Sequence, residues 1–157
     1  LLLTNFLFSC KNRTEESKAA DNLFKFRDYI SYTTSGLQSV ANPISINLSK
    51  DIEGWETGEE ILEEIVSIQP FVEGKLTLIS PRRLLFTPDE YLEPATEYSV
   101  SVKLDKIYKN ISTDYKTYTF QFKTIKPNFS IRTNDLQSYS KKWQYLEAVI
   151  KSADIIS

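Results

Sequence analysis

Between Glu97 and Val102 the chain alternates strictly, with Tyr98, Val100 and Val102 opposing Glu97, Ser99 and Ser101. A repeat of two residues predicts a strand with one face on a core and the other in water. The same pattern recurs from Tyr115 to Thr124, where Tyr118, Phe120 and Phe122 oppose Thr119, Gln121 and Lys123. It recurs again from Pro43 to Ser49, with Ile44, Ile46 and Leu48 on one face. Shorter β-type runs lie at Tyr29 to Thr33, Ile65 to Gln69, Lys75 to Ile79 and Arg83 to Phe86. Ser35-Gly36, Pro70, Gly74 and Ser80-Pro81-Arg82 punctuate them as turns. The result is about seven strands between residues 28 and 125, the count and spacing of a two-sheet antiparallel sandwich.

The stretch from Leu84 to Val102 organises this pattern. Pro88 and Pro94 lack backbone donors and have fixed φ, so neither flanking strand runs through the connection. Tyr98 stands just past that corner, where immunoglobulin-like sandwiches often place a tyrosine whose hydroxyl bonds back to upstream backbone. A plain core tyrosine is the alternative. Leu-x-Phe-x-Pro, a short loop, then Leu-x-Pro-x-Thr-x-Tyr-x-Val-x-Val resembles a bacterial immunoglobulin-like module. That likeness implies a fold class, all-β and Ig-like, and not an activity.

Three segments break the strand pattern. Lys50 to Glu64 carries Asp51, Glu53, Glu56, Glu59, Glu60, Glu63 and Glu64 around Gly54 and Gly58. Ile61, Leu62 and Ile65 in it are spaced like a short amphipathic helical turn. With no ladder of oxygen ligands and no glycine at a sharp bend, it reads as a solvated acidic excursion rather than a calcium loop. Asp105 to Asp114 is a polar loop, and Ile125-Lys126-Pro127 is a linker. Beyond the linker, a strand is expected at Phe129-Ser130-Ile131, a turn over Asn134 to Ser140 and a strand over Trp143 to Ser152. A two-stranded piece is not independently stable, so residues 126–157 are expected to open a second, truncated β domain.

The N-terminus is different again. Leu1 to Phe8 is an apolar run too short to span a bilayer, and Ser9-Cys10 and Lys11-Asn12-Arg13 follow it. The run and its cysteine resemble a bacterial lipoprotein signal, which implies lipid attachment at Cys10; a buried N-terminal strand with an incidental cysteine is the alternative. Residues 11–23 mix both charge signs with almost nothing to bury, and are expected to be a flexible tether. The expected organisation is therefore 1–10 signal remnant, 11–23 tether, 24–125 sandwich and 126–157 the second β domain. The chain contains no methionine, so it is read as lacking its initiator end.

Composition narrows the chemistry. Net charge is −2, which supplies no broad basic field for nucleic acid. Without histidine, Ser-His triads, Cys-His pairs and His-based zinc sites are excluded from this segment. Four scattered glycines form no phosphate-binding loop, and the single cysteine forms no disulfide within the chain. No residue is nominated as catalytic, as a metal ligand or as holding a cofactor. Four Asn-x-Ser/Thr sequons begin at Asn12, Asn47, Asn110 and Asn128, as chance readily produces in an Asn- and Ser-rich chain.

The lipoprotein-like start, the tether, the Ig-like module and the segment Gln144 to Asp154 (Gln-Tyr-Leu-Glu-Ala-Val-Ile-Lys-Ser-Ala-Asp) together resemble the N-terminal end of a bacterial alpha-2-macroglobulin. The resemblance implies a long string of β-sandwich modules, tethered to the cell envelope through Cys10, that traps proteases by means of downstream domains. The family's Cys-x-Glu-Gln thioester motif is absent, since Cys10 is followed by Lys11-Asn12-Arg13. The expected role is thus anchor and scaffold of a protease inhibitor, not an enzyme, with the membrane and target proteases as partners. A lipid-anchored surface adhesin with Ig-like modules is the alternative, and an accessory domain of an enzyme is a third.

Overall fold

The computed structural model describes residues 12–155. Residues 1–11, and with them the expected lipid attachment at Cys10, lie outside the described residues. The fold is an all-β sandwich preceded by one helix and followed by a β-ribbon.

The strands of the first sheet are β1 (Ile30–Thr33), β3 (Ile44–Leu48), β6 (Arg83–Pro88) and β5 (Gly74–Ser80), antiparallel in that spatial order. The second sheet runs β2 (Gly36–Gln38), β8 (Thr117–Thr124), β7 (Glu97–Lys103) and β4 (Val66–Gln69). Among the described residues only the β2–β8 pairing is parallel. β1 and β2 are one strand that changes sheets: Thr34 and Ser35 make the step, and Gly36 turns it at φ 68°. Among the described residues the sandwich thus has eight paired segments in about seven strands, as expected, with the first strand divided between the sheets. Three residues are too few for alternation to reveal β2, whose place depends on pairing with β8.

Burial follows the alternation closely. Along β8 the even-numbered residues Tyr118, Phe120, Phe122 and Thr124 point inward, and along β7 Tyr98, Val100 and Val102 do. They meet Ile44, Ile46, Leu48, Leu78 and Leu84 of the facing sheet, most of them with essentially no exposed surface. Each such aliphatic side chain contributes about 1.5–3 kcal/mol through burial. Ser45 breaks the pattern in β3. Its amide donates to Thr34 Oγ1 at 2.8 Å and its hydroxyl accepts from Arg83 Nε at 3.1 Å, so the polar group is buried with partners.

Two expectations are corrected. The acidic excursion contains no helical turn at Ile61 to Ile65. Instead the Gly58 and Ile61 amides donate to Leu78 and Leu76 carbonyls at 2.8 Å, and Glu60 bridges Thr77, so the segment lies along the open edge of β5. Gly54 and Gly58 at positive φ disfavour helix there, while a strand edge offers unpaired backbone groups. Asp51, Glu60 and Glu64 pair with Arg82, Lys75 and Lys103 at the surface.

The second correction concerns residues 11–23, expected as coil. The structure has α1 over Asn12–Lys25. Glu15, Glu16, Lys18, Ala19 and Ala20 favour helix, and tertiary contacts secure its end. Asn22 Nδ2 donates to the Thr119 carbonyl at 2.8 Å, and Phe26, just beyond the helix, is buried edge-on to Tyr115 and Tyr118 with centroids 5.3 and 5.1 Å apart. The polar loop expected over Asp105 to Asp114 is flanked by two short 3-10 turns that reach into it, Leu104–Lys106 and Thr113–Tyr115.

Past the linker, β9 (Phe129–Thr133) pairs with β12 (Ala148–Ser152), and β10 (Gln137–Ser140) pairs with β11 (Trp143–Tyr145). These are two successive parts of one long hairpin. The stretch expected as a turn over Asn134 to Ser140 thus contains a strand, and the expected Trp143 to Ser152 strand is interrupted at Leu146-Glu147. Phe129, Ile131, Trp143, Val149 and Ile150 all remain more than half exposed.

Tyr29, Tyr108 and Tyr115 pack at centroid distances of 5.4 Å, and the Tyr108 hydroxyl donates to the Tyr29 carbonyl at 3.0 Å. Burial pushes the Tyr108 hydroxyl up to about 12, against opposing effects of the Lys50 backbone and the Arg82 charge. Burial also raises Tyr118. The folded protein holds these protons more tightly than the unfolded chain. The stabilisation is therefore complete below the ordinary tyrosine value of 10.0 and is lost as pH rises from there toward about 12. In urea melts between about pH 9 and 11.5, stability should fall, and Tyr108→Phe should flatten that fall without abolishing it.

Candidate functional site

At the pole where β6 crosses to β7, the loop from Thr87 to Pro94 and the turn at Val40-Ala41 enclose an open cavity of about 600 Å³. Its walls are held by backbone pairing. The Asp89 amide donates to the Glu73 carbonyl at 3.0 Å, and the Leu92 amide donates to the Val40 carbonyl at 2.9 Å.

The Tyr98 hydroxyl accepts the Glu93 amide at 2.9 Å, five residues upstream, while its ring stacks on Phe122 with centroids 5.3 Å apart. This is the corner bond that the sequence position suggested. Thr124 completes it: Oγ1 donates to the Glu93 carbonyl at 2.6 Å and accepts the Thr96 amide at 2.9 Å, and the residue has no exposed surface. Ala95 takes φ 55° between them, where its amide donates to the Ile125 carbonyl at 3.2 Å. Sequence reasoning missed Thr124, although the alternation through Tyr118, Phe120 and Phe122 already placed it inward.

Asp154 joins the ribbon to this pole. Its carboxylate accepts from Ser39 Oγ at 2.5 Å, from the Val40 amide at 2.9 Å and from the Ile155 amide at 2.9 Å. The Ala153 amide donates to the Asn128 carbonyl at 2.8 Å and closes the ribbon's root. The Ser39 hydroxyl, then the Val40 amide, hold the Asp154 carboxyl below the usual aspartate value. These bonds tie the end of the ribbon to the Ser39-Val40 turn, so the Ser39–Asp154 pair acts as a latch. No local signal marks the seat of Asp154 on the sandwich, because Ser39 and Val40 lie 115 and 114 positions away in sequence.

The cavity presents Asp89, Glu90 and Glu93 beside the exposed Tyr91, with Pro88 and Pro94 in its wall. Among the described residues no group of carboxylates has metal-binding geometry.

No protein-family model matches the chain, and no curated protein matches it. Among solved structures it is similar to an L,D-transpeptidase from Mycobacterium tuberculosis, with 15% identity over 64% of this chain and 41% of that one and a TM-score of 0.43. It is also similar to L,D-transpeptidase 3 of the same organism in complex with a faropenem-derived adduct, with 15% identity over 66% of this chain and 40% of that one and a TM-score of 0.42. The chain spans well under half the length of either structure. Likeness at this level bears on neither reaction nor substrate.

Tyr98→Phe should cost about 1–3 kcal/mol in urea unfolding, because the ring stack survives while the Glu93 amide loses its acceptor. Asp154→Ala should speed amide hydrogen exchange at the Phe129–Thr133 and Ala148–Ser152 strands while leaving β7 and β8 protected.

Proposed function

We propose that this chain is the anchor and first scaffold module of a membrane-tethered bacterial protease trap of the alpha-2-macroglobulin kind, a non-catalytic role. The observation that carries the reading is the path of the chain. It comes into the sandwich beside Phe26 and Ile30, at the end where β8 starts, and leaves at Ile125, where β8 finishes. β8 is eight residues long, so the two points lie about 25 Å apart at opposite poles. A module traversed from pole to pole suits a string of domains between an anchor at one end and working parts at the other.

Two further features support the reading. The Asp154 latch gives the ribbon a defined seat on the sandwich, as a junction between modules requires. The paired strands β9 to β12 suit the opening of a second β domain. Among the described residues no helix is long and apolar enough to cross a membrane, so attachment in this reading rests on Cys10.

Two measurements test it. The reading frame beyond Ser157 should continue into repeated sandwich modules; a stop within a domain or two would sink the protease-trap reading. Labelled fatty acid should enter the protein in a bacterial host, and Cys10→Ala should abolish incorporation; label retained in that variant would remove the anchor.

A further inference from the structure

The net charge of −2 conceals a strong separation of sign. From residue 50 to 64, seven acidic side chains accompany only Lys50. Asp51 is held at the β5–β6 turn by Arg82, and Glu64 at the end of β7 by Lys103, which places the two ends of this excursion at the pole opposite the ribbon. Between them the segment runs along the edge of β5. Among the described residues, Glu53, Glu56, Glu59 and Glu63 have no ion pair.

The ribbon has the opposite character. Arg132, Lys141, Lys142 and Lys151 outnumber Asp135 and Glu147, and none of the four cations has an ion pair among the described residues. The cations accompany exposed apolar side chains. Phe129, Ile131 and Ile150 share one face of the β9–β12 pair, and Trp143 is 75% exposed beside Lys142 at the tip. The acidic excursion offers a match, since Leu62 is 90% exposed among its glutamates. From Phe129 to Ser140 the arm can reach about 35 Å, which takes Lys141 and Lys142 several Debye lengths from the acidic residues near its root.

We propose that the basic, apolar ribbon of one copy docks on the acidic excursion of a second copy, head to tail. Ribbon-to-ribbon pairing would set like charges against each other. Ribbon-to-excursion contact pairs opposite charges and leaves each copy one donor and one acceptor surface. Such a contact is heterologous, so association builds open chains rather than a closed dimer. The interaction does not depend on the anchor or on a protease-trap role.

Sedimentation velocity on the full chain with Cys10→Ser tests it. At about 0.05 M ionic strength and roughly 200 μM protein the average mass should rise to about twice the monomer or more, and at about 0.5 M salt it should return to monomer. Lys141→Glu with Lys142→Glu should abolish association, as should Glu53→Lys with Glu56→Lys; all four side chains are exposed, so folding is spared. Mixing the two charge-reversed proteins should restore association, because each then carries the complement of the other's ribbon and excursion. A monomer throughout, a salt-insensitive dimer, or reversed proteins that stay apart on mixing would each overturn the proposal. So would association broken equally by reversing Asp89 and Glu90, since that would place the contact at the cavity.

Discussion

The crossover from β6 to β7 has to carry the chain between sheets without leaving buried polar backbone unpaired. Two side chains solve that problem together. Tyr98 gives its oxygen to the Glu93 amide while its ring fills the core against Phe122. Thr124 takes the Glu93 carbonyl and the Thr96 amide with a single hydroxyl. A buried amide without a partner is costly, so these bonds make the corner geometry a condition of packing the sandwich rather than an ornament on it. Ala95, at positive φ, is held in that conformation by the same network.

That corner also positions the other features of its pole. The cavity wall, the exit at Ile125 and the seat of Asp154 on Ser39 and Val40 all hang from strands whose ends it fixes. The opposite pole is built differently, from the aromatic rings of Phe26, Tyr29, Tyr108 and Tyr115 and the acidic excursion that covers the β5 edge. The two ends of the sandwich thus differ, one built on packed aromatic rings and the other holding the cavity and the root of the ribbon.

Strand positions and the inward register of β3, β7 and β8 were legible in the chain because alternation is a local signal, and burial then enforces it. The corner role of Tyr98 was legible from its place after two prolines. Less was visible where the deciding partner lies far away. Composition argued for coil over residues 11–23, yet Asn22 finds Thr119 across 97 positions and Phe26 finds Tyr115 and Tyr118. Helical spacing at Ile61 to Ile65 lost to the unpaired edge of β5, a feature that exists only after the sheet has formed.

By itself the sequence determined an all-β chain, its main strands, the faces they bury and the absence of histidine chemistry, since each depends on residue type and near-neighbour spacing. Tertiary structure alone decided the split of the first strand between sheets, the lodging of the excursion on an edge and the seating of Asp154 on Ser39 and Val40. It also decided that the two ends of the acidic excursion lie at the pole away from the root of the ribbon. Those outcomes need two distant segments to meet, and the free energy that joins them appears only when the core has brought them within hydrogen-bonding distance.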